Sequence, residues 1–144
     1  MAKPEAQTVI QGGRAKAYRP IPAADREAAF RAALLAYDRG DFFLTHELLE
    51  PAWMGTDDLP ERELYQGLIK VAAAFVHGVR RNPKGIVRNL EGARPMLAAA
   101  ADAGMTGGLD LAGLLADVDA LLARLADDLG ASPIEPPRLR RTTQ

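Results

Sequence analysis

The segment from Glu61 to Arg81 constrains the fold most, because apolar residues cover most of the circumference of the helix that it predicts. A helix that is apolar nearly all round lies at the centre of a helical protein, surrounded by other helices. One narrow stripe of this helix is polar, and a polar stripe on a central helix needs polar partners or a wet pocket. The stripe contains Arg62, Gln66, Lys70, His77 and Arg80.

Four other segments have the apolar periodicity and the end signals of helices. The predicted helices run over 22–38, from the cap Asp41 to about 54, over 61–81, from Asn82-Pro83 to about 103, and over 110–129. β-Branched residues are scarce and no segment alternates clearly, so the sequence predicts no strand. We expect an all-α, compact bundle of about five helices, mostly antiparallel because the loops are short, with extended N- and C-terminal segments.

The chain is basic at both ends and acidic between them. The net charge is −1, whereas residues 1–20 carry +3 and residues 131–144 carry +2, which leaves −6 for the middle. We divide the chain into an extended basic arm (1–21), a helical bundle domain (22–130) and a Pro/Arg-rich tail (131–144). We interpret both ends as solvated rather than nucleic-acid-binding, because neither interleaves aromatic and basic residues. The tail has too few apolar residues for us to expect close packing.

Composition excludes several function classes. The 144 residues include no cysteine, so the chain has no disulfide, thiolate metal site or cysteine nucleophile. The first residues do not resemble a secretory signal, and the longest apolar stretch, from Val71 to Val76, is too short to cross a bilayer. We therefore expect a soluble, cytoplasmic protein of bacterial type with no membrane partner.

The segment 41–53 places a polar pair within an apolar helix face. His46, Glu50 and Trp53 lie on one side of the predicted second helix, at spacings of four and three residues. Because buried polar groups need partners, we expect this side to face the polar stripe of the third helix. The predicted pocket contains His46, Glu50, Trp53, Tyr65, Gln66, Lys70 and His77.

These segments also carry a family resemblance. The residues are Asp41-Phe-Phe-x-x-His46-Glu47-x-x-Glu50-x-x-Trp53, Tyr65-Gln-Gly-Leu-Ile, His77 and Asn82-Pro83-x-Gly85. Over about residues 26–97 the chain resembles the bacterial family known as domain of unknown function 309. The resemblance implies a small α-helical bundle and no established activity. The chain departs from the family pattern at Lys70, where glutamine is expected, and at Arg81, where glycine is usual.

Two kinds of chemistry fit the predicted pocket, and the residues do not decide whether the protein is an enzyme. In a buried polar network, His46 contacts Glu50, and Lys70 pairs with Glu50 or Glu47. In a metal-dependent enzyme, His46, Glu50 and His77 would bind zinc or ferrous iron, and Glu47 is the candidate catalytic base. We favour the network, with a site for an unknown small ligand and no cofactor, because Lys70 would compete with a metal.

A basic cluster follows the third helix and gives a further alternative. Its positive charges lie next to the predicted start of the fourth helix, and helix starts attract anions. Anion or nucleic-acid binding is therefore the third hypothesis, although helix-dipole compensation explains the cluster more simply. The candidate residues are Arg80, Arg81, Asn82, Lys84 and Arg88. The leucine seam of the fifth helix also suggests a homodimer.

Overall fold

A computed structural model describes residues 7–76, 82–129 and 134–142. In these residues a β-hairpin precedes five α-helices. The elements are β1 (Gln7–Gln11), β2 (Arg14–Tyr18), α1 (Ala23–Asp38), α2 (Phe42–Met54), α3 (Leu59–Val76), α4 (Pro83–Asp102) and α5 (Leu111–Asp127). Each helix packs on the next along the chain, and α3 packs extensively on both α2 and α4. The predicted helical bundle, with α3 at its centre, is confirmed.

Predicted capping residues begin two of these helices. The Asp41 side chain accepts a hydrogen bond from the Leu44 amide at 3.1 Å, and the Asn82 side chain accepts one from the Gly85 amide at 3.1 Å. Each bond satisfies an amide that has no partner within its helix. The local sequence therefore fixes where α2 and α4 begin.

The core is formed by the facing sides of the helices. Val71, Leu90, Leu97 and Leu125 are each 0% exposed, and full burial of such a side chain contributes about 1.5–3 kcal/mol. The leucine seam of α5 contributes to this core. Its buried members are Leu111, Leu114, Val118, Leu121 and Leu125. None of the described helices combines the length and the hydropathy needed to cross a bilayer.

Gly67 allows α3 and α4 to approach closely. A Cβ atom at this position would lie 2.7 Å from Leu97 Cδ2 and 2.8 Å from Leu97 Cγ. Leu97 is fully buried and has little room to move. The glycine of the Tyr-Gln-Gly-Leu motif is therefore required for packing.

The prediction that the chain has no strand is wrong. β1 and β2 form an antiparallel pair that aligns Gln7 with Tyr18 and Gln11 with Arg14. Gly12 and Gly13 connect the strands with φ angles of 61° and 76°, as tight hairpin turns require. The Arg19 amide then donates to the Met54 carbonyl at 2.8 Å, which joins the end of the hairpin to the end of α2. The extended arm is thus partly a hairpin docked on the bundle.

The expectation that the tail packs poorly is also wrong for its described part, 134–142. Leu139 is 5% exposed within the core. The buried Tyr37 hydroxyl donates to the Pro137 carbonyl at 2.5 Å, and the Asp110 amide donates to the Arg140 carbonyl at 2.9 Å. The tail therefore connects the end of α1 to the start of α5.

Candidate functional site

Two side-chain contacts define how α2 and α3 are aligned. At one end the Arg62 guanidinium lies 5.2 Å from the centre of the Trp53 ring, and at the other the Phe42 and Phe75 rings are 5.8 Å apart. The helices are therefore antiparallel.

His46 forms a polar cluster with two carboxylates on α2. Its Nδ1 atom lies 3.4 Å from Glu47 Oε1 and 3.7 Å from Glu50 Oε2. The three side chains are 33%, 52% and 43% exposed, respectively, so they lie at the surface of the bundle rather than inside it. No hydrogen bond or ion pair among the described residues connects this cluster to Gln66 or Tyr65.

Lys70 packs against α4. Its side chain crosses α4 at Gly92, where a Cβ atom would be 3.2 Å from Lys70 Cδ. Within the part of the chain that the structure describes, Lys70 forms no ion pair, so the predicted bridges from Lys70 to Glu50 or Glu47 are absent. Neither Glu47 nor Glu50 is therefore paired with a lysine or an arginine of the described chain.

Hydrogen bonds from two helices converge instead on Gln11, which is 5% exposed. Its Nε2 donates to Gln66 Oε1 at 2.7 Å. Its Oε1 accepts from Trp53 Nε1 at 3.0 Å and from Arg62 Nε at 3.3 Å. The hairpin thus brings Trp53 and Gln66, two of the predicted pocket residues, into one network.

Arg62 is a buried cation with no carboxylate partner among its described hydrogen bonds. It is 0% exposed, and its guanidinium donates to the Thr56 carbonyl at 2.9 Å and to the Ala17 carbonyl at 3.5 Å. Burial lowers the pKa of Arg62, while the negative charge of Glu63 opposes that change. Main-chain carbonyls, the Gln11 amide and the Trp53 ring therefore stabilise its charge.

Tyr65 belongs to a separate cluster at the start of α3. Its hydroxyl donates to Glu61 Oε1 at 3.0 Å, and Arg26 Nε lies 2.6 Å from the same oxygen. Burial first, and then the charge of Glu61, raise the pKa of Tyr65 above its ordinary value. Tyr65 therefore faces α1 rather than the α2 cluster.

Several predicted residues lie outside the described part of the chain: His77, Arg80 and Arg81. The described members of the basic cluster are exposed at the start of α4, where the Asn82 side chain caps the Gly85 amide. Lys84 and Arg88 have no ion pair with any described residue. Nothing in the described contacts shows a formed anion site there.

Sequence reasoning missed Gln11 and assigned no role to buried Arg62. A signal for Gln11 was available, because Gly12-Gly13 follows Thr8-Val-Ile and precedes Ala15-Lys-Ala-Tyr18. A Gly-Gly pair between two such runs is typical of a hairpin with a two-residue turn. The burial of Gln11 depends on docking of that hairpin, which the local sequence does not encode.

The described elements form a small helical bundle with an N-terminal β-hairpin. Residues 30–89 match the family model described as a domain of unknown function (DUF309), which confirms the resemblance over this range. The matched range includes the α2 cluster, Gln66 and Lys70, whereas Gln11 precedes it. The comparisons with curated proteins and with solved structures gave no match.

Proposed function

We propose that the protein binds a divalent transition-metal ion through His46, Glu47 and Glu50. The observation that carries this proposal is that one donor atom from each residue lies within 4.8 Å of the other two. Zinc binds imidazole nitrogen and carboxylate oxygen at about 2.0–2.2 Å, so two donors on one ion are roughly 3 Å apart. The distances of 3.4 Å and 3.7 Å from His46 Nδ1 to the two carboxylates are close to that spacing.

The local charge favours a bound cation. Glu47 and Glu50 are three residues apart, and neither forms an ion pair with a lysine or arginine of the described chain. A divalent ion would supply the missing positive charge. A purely structural network accounts less well for these residues, because each is about a third or more exposed and their ion pairs in the described chain lie within one helix.

The donor set also limits the kind of site. One imidazole and two carboxylates suit zinc, with ferrous iron as the other candidate. Three protein ligands leave further coordination positions for water or a small ligand, unlike a closed structural zinc site. The proposal therefore concerns metal binding at an open site and assigns no reaction.

Calorimetric titration of tag-free protein with zinc chloride tests the proposal. We expect one equivalent to bind to the wild type, and His46→Ala and Glu50→Ala to lose most of the affinity. Glu91→Ala, which removes an exposed carboxylate from α4, is the matched control and should bind like the wild type. Zinc at 100 times its Kd should add about 2.7 kcal/mol to the free energy of unfolding. Binding well below one equivalent, or unchanged binding by His46→Ala, would contradict the assignment.

A further inference from the structure

A cleft of about 780 Å³ lies on another face of the bundle, between α1, the first half of α3 and the loop from α4 to α5. Its apolar floor includes Phe30, Leu34 and Leu64, which are 7%, 6% and 1% exposed. Leu35 lines the same cleft and is 57% exposed. The cleft therefore offers an apolar surface of the kind that small-molecule sites use.

The loop wall of the cleft depends on a glycine. Gly107 has a φ of 61°, and a Cβ atom there would lie 2.6 Å from Phe30 Cζ. Only a residue without a side chain lets the loop pass this close to the phenyl ring. The loop therefore rests on Phe30 at one side of the cleft.

Positively charged side chains outnumber negatively charged ones in the cleft, and they differ in whether they form ion pairs. Three arginines and two glutamates line it, which gives a net charge of +1. Arg26 is paired with Glu61 at 2.6 Å, and Arg141 is paired with Asp38 at 2.8 Å. Arg31 is exposed and forms no hydrogen bond or ion pair with any described residue. Its guanidinium is thus available to a ligand.

We infer that the cleft binds a small apolar molecule that carries one negatively charged group, such as a carboxylate. Arg31 pairs with the anionic group, and Phe30, Leu34 and Leu35 contact the apolar body. Glu27 also lines the cleft, and its negative charge disfavours a ligand with a second anionic group. The site shares no residue with the α2 cluster, so it does not rest on metal binding.

Three probes with one apolar skeleton test this inference: 4-phenylbutyrate, 4-phenylbutanol and 4-phenylbutylamine. Each is titrated into ¹⁵N-labelled protein, and amide shifts give the Kd and the position of binding. We expect the largest shifts in α1 and in the loop around Gly107. We expect the carboxylate to bind about 1.5- to 5-fold more tightly than the alcohol, the range of an exposed ion pair. The amine should bind most weakly.

Matched variants distinguish the contribution of the Arg31 charge to binding from that of the apolar wall. Arg31→Gln should remove the preference for the carboxylate, whereas Arg39→Gln makes the same charge change outside the cleft and should keep it. Leu35→Gln should weaken all three probes, and Leu59→Gln, at another exposed leucine, should not. Equal affinities for the acid and the amine, shifts confined to another face, absence of binding, or equal loss in both arginine variants would overturn the inference.

Discussion

Gln11 Nε2 and Gln66 Oε1 are 2.7 Å apart across 55 positions of sequence, and this bond joins the hairpin to the centre of the bundle. The Gln11 carboxamide uses both of its ends, since its oxygen accepts from Trp53 and Arg62. One side chain outside the helices therefore organises the polar groups of two helices.

Replacement of Gln11 by alanine should destabilise the protein by about 2–4 kcal/mol, because it removes the acceptor of Trp53 Nε1 and Arg62 Nε and the donor to Gln66 Oε1. The loss at Arg62 costs most, since its charge is fully buried and, of its described hydrogen bonds, keeps only those to the Thr56 and Ala17 carbonyls. Urea unfolding measures the change. Gln7→Ala, at an exposed glutamine of the same strand, is the control and should stay within about 0.5 kcal/mol of the wild type. Equal unfolding midpoints for the two variants would show that the network does not stabilise the fold.

Gly67→Ala should destabilise the protein by about 1–3 kcal/mol, because the new methyl group overpacks the contact with Leu97. The added Cβ would lie 2.7 Å from a fully buried side chain, and this clash exceeds the roughly 1 kcal/mol that alanine gains in helix propensity. Gly92→Ala is the matched control, since its nearest atom is the flexible Cδ of Lys70 at 3.2 Å. Thermal unfolding should show a lower Tm for the first variant only. A higher Tm for Gly67→Ala would mean that α4 moves aside easily.

Alkaline pH should unfold the protein through Tyr37 and Tyr65. Burial raises the pKa of both phenols in the folded chain, with Asp38 and Glu61 adding to the effect. The pKa of each phenol in the folded chain exceeds the unfolded value of about 10. The contribution of the two neutral phenols to the free energy of unfolding is therefore complete below that pH and is lost as the pH rises above it. Above about pH 10 the free energy of unfolding should fall by up to about 1.4 kcal/mol per pH unit for each phenol.

Absorbance at 295 nm, which reports tyrosinate, checks this prediction beside circular dichroism. The ionisation of Tyr37 and Tyr65 should coincide with the loss of helix signal. The double variant Tyr37→Phe/Tyr65→Phe should lack that part of the absorbance change. Ionisation of both phenols while the helices remain intact would refute the assigned burial effect.

The helices could be predicted from sequence because each carries its own signals. Asp41 and Asn82 cap as expected, and the predicted bounds of α2 agree with the structure. The hairpin was harder, because two strands of five residues show little periodicity. The Gly12-Gly13 pair is a local signal for its turn, but no hairpin was predicted from it.

For the candidate site, helical periodicity predicts only which side chains lie on the same face of one helix. The grouping of His46 with Glu50 follows from their spacing on α2. Trp53 and Gln66, in contrast, form hydrogen bonds with Gln11, which lies in β1. The direction of Lys70 depends on the close approach of α4 at Gly92, which no periodicity reveals.

Leu139→Ala should destabilise the protein by about 2–4 kcal/mol, because it leaves a cavity where the tail meets the core. The side chain is 5% exposed, and the tail around it joins α1 to α5 through the bonds of Tyr37 to Pro137 and of Asp110 to Arg140. Arg138→Ala, at the exposed neighbouring residue, is the control and should have little effect. Limited proteolysis adds a local readout, since cleavage within 134–142 should accelerate in Leu139→Ala before the helices unfold. Equal Tm values and equal cleavage rates for the two variants would show that the tail does not hold these helices together.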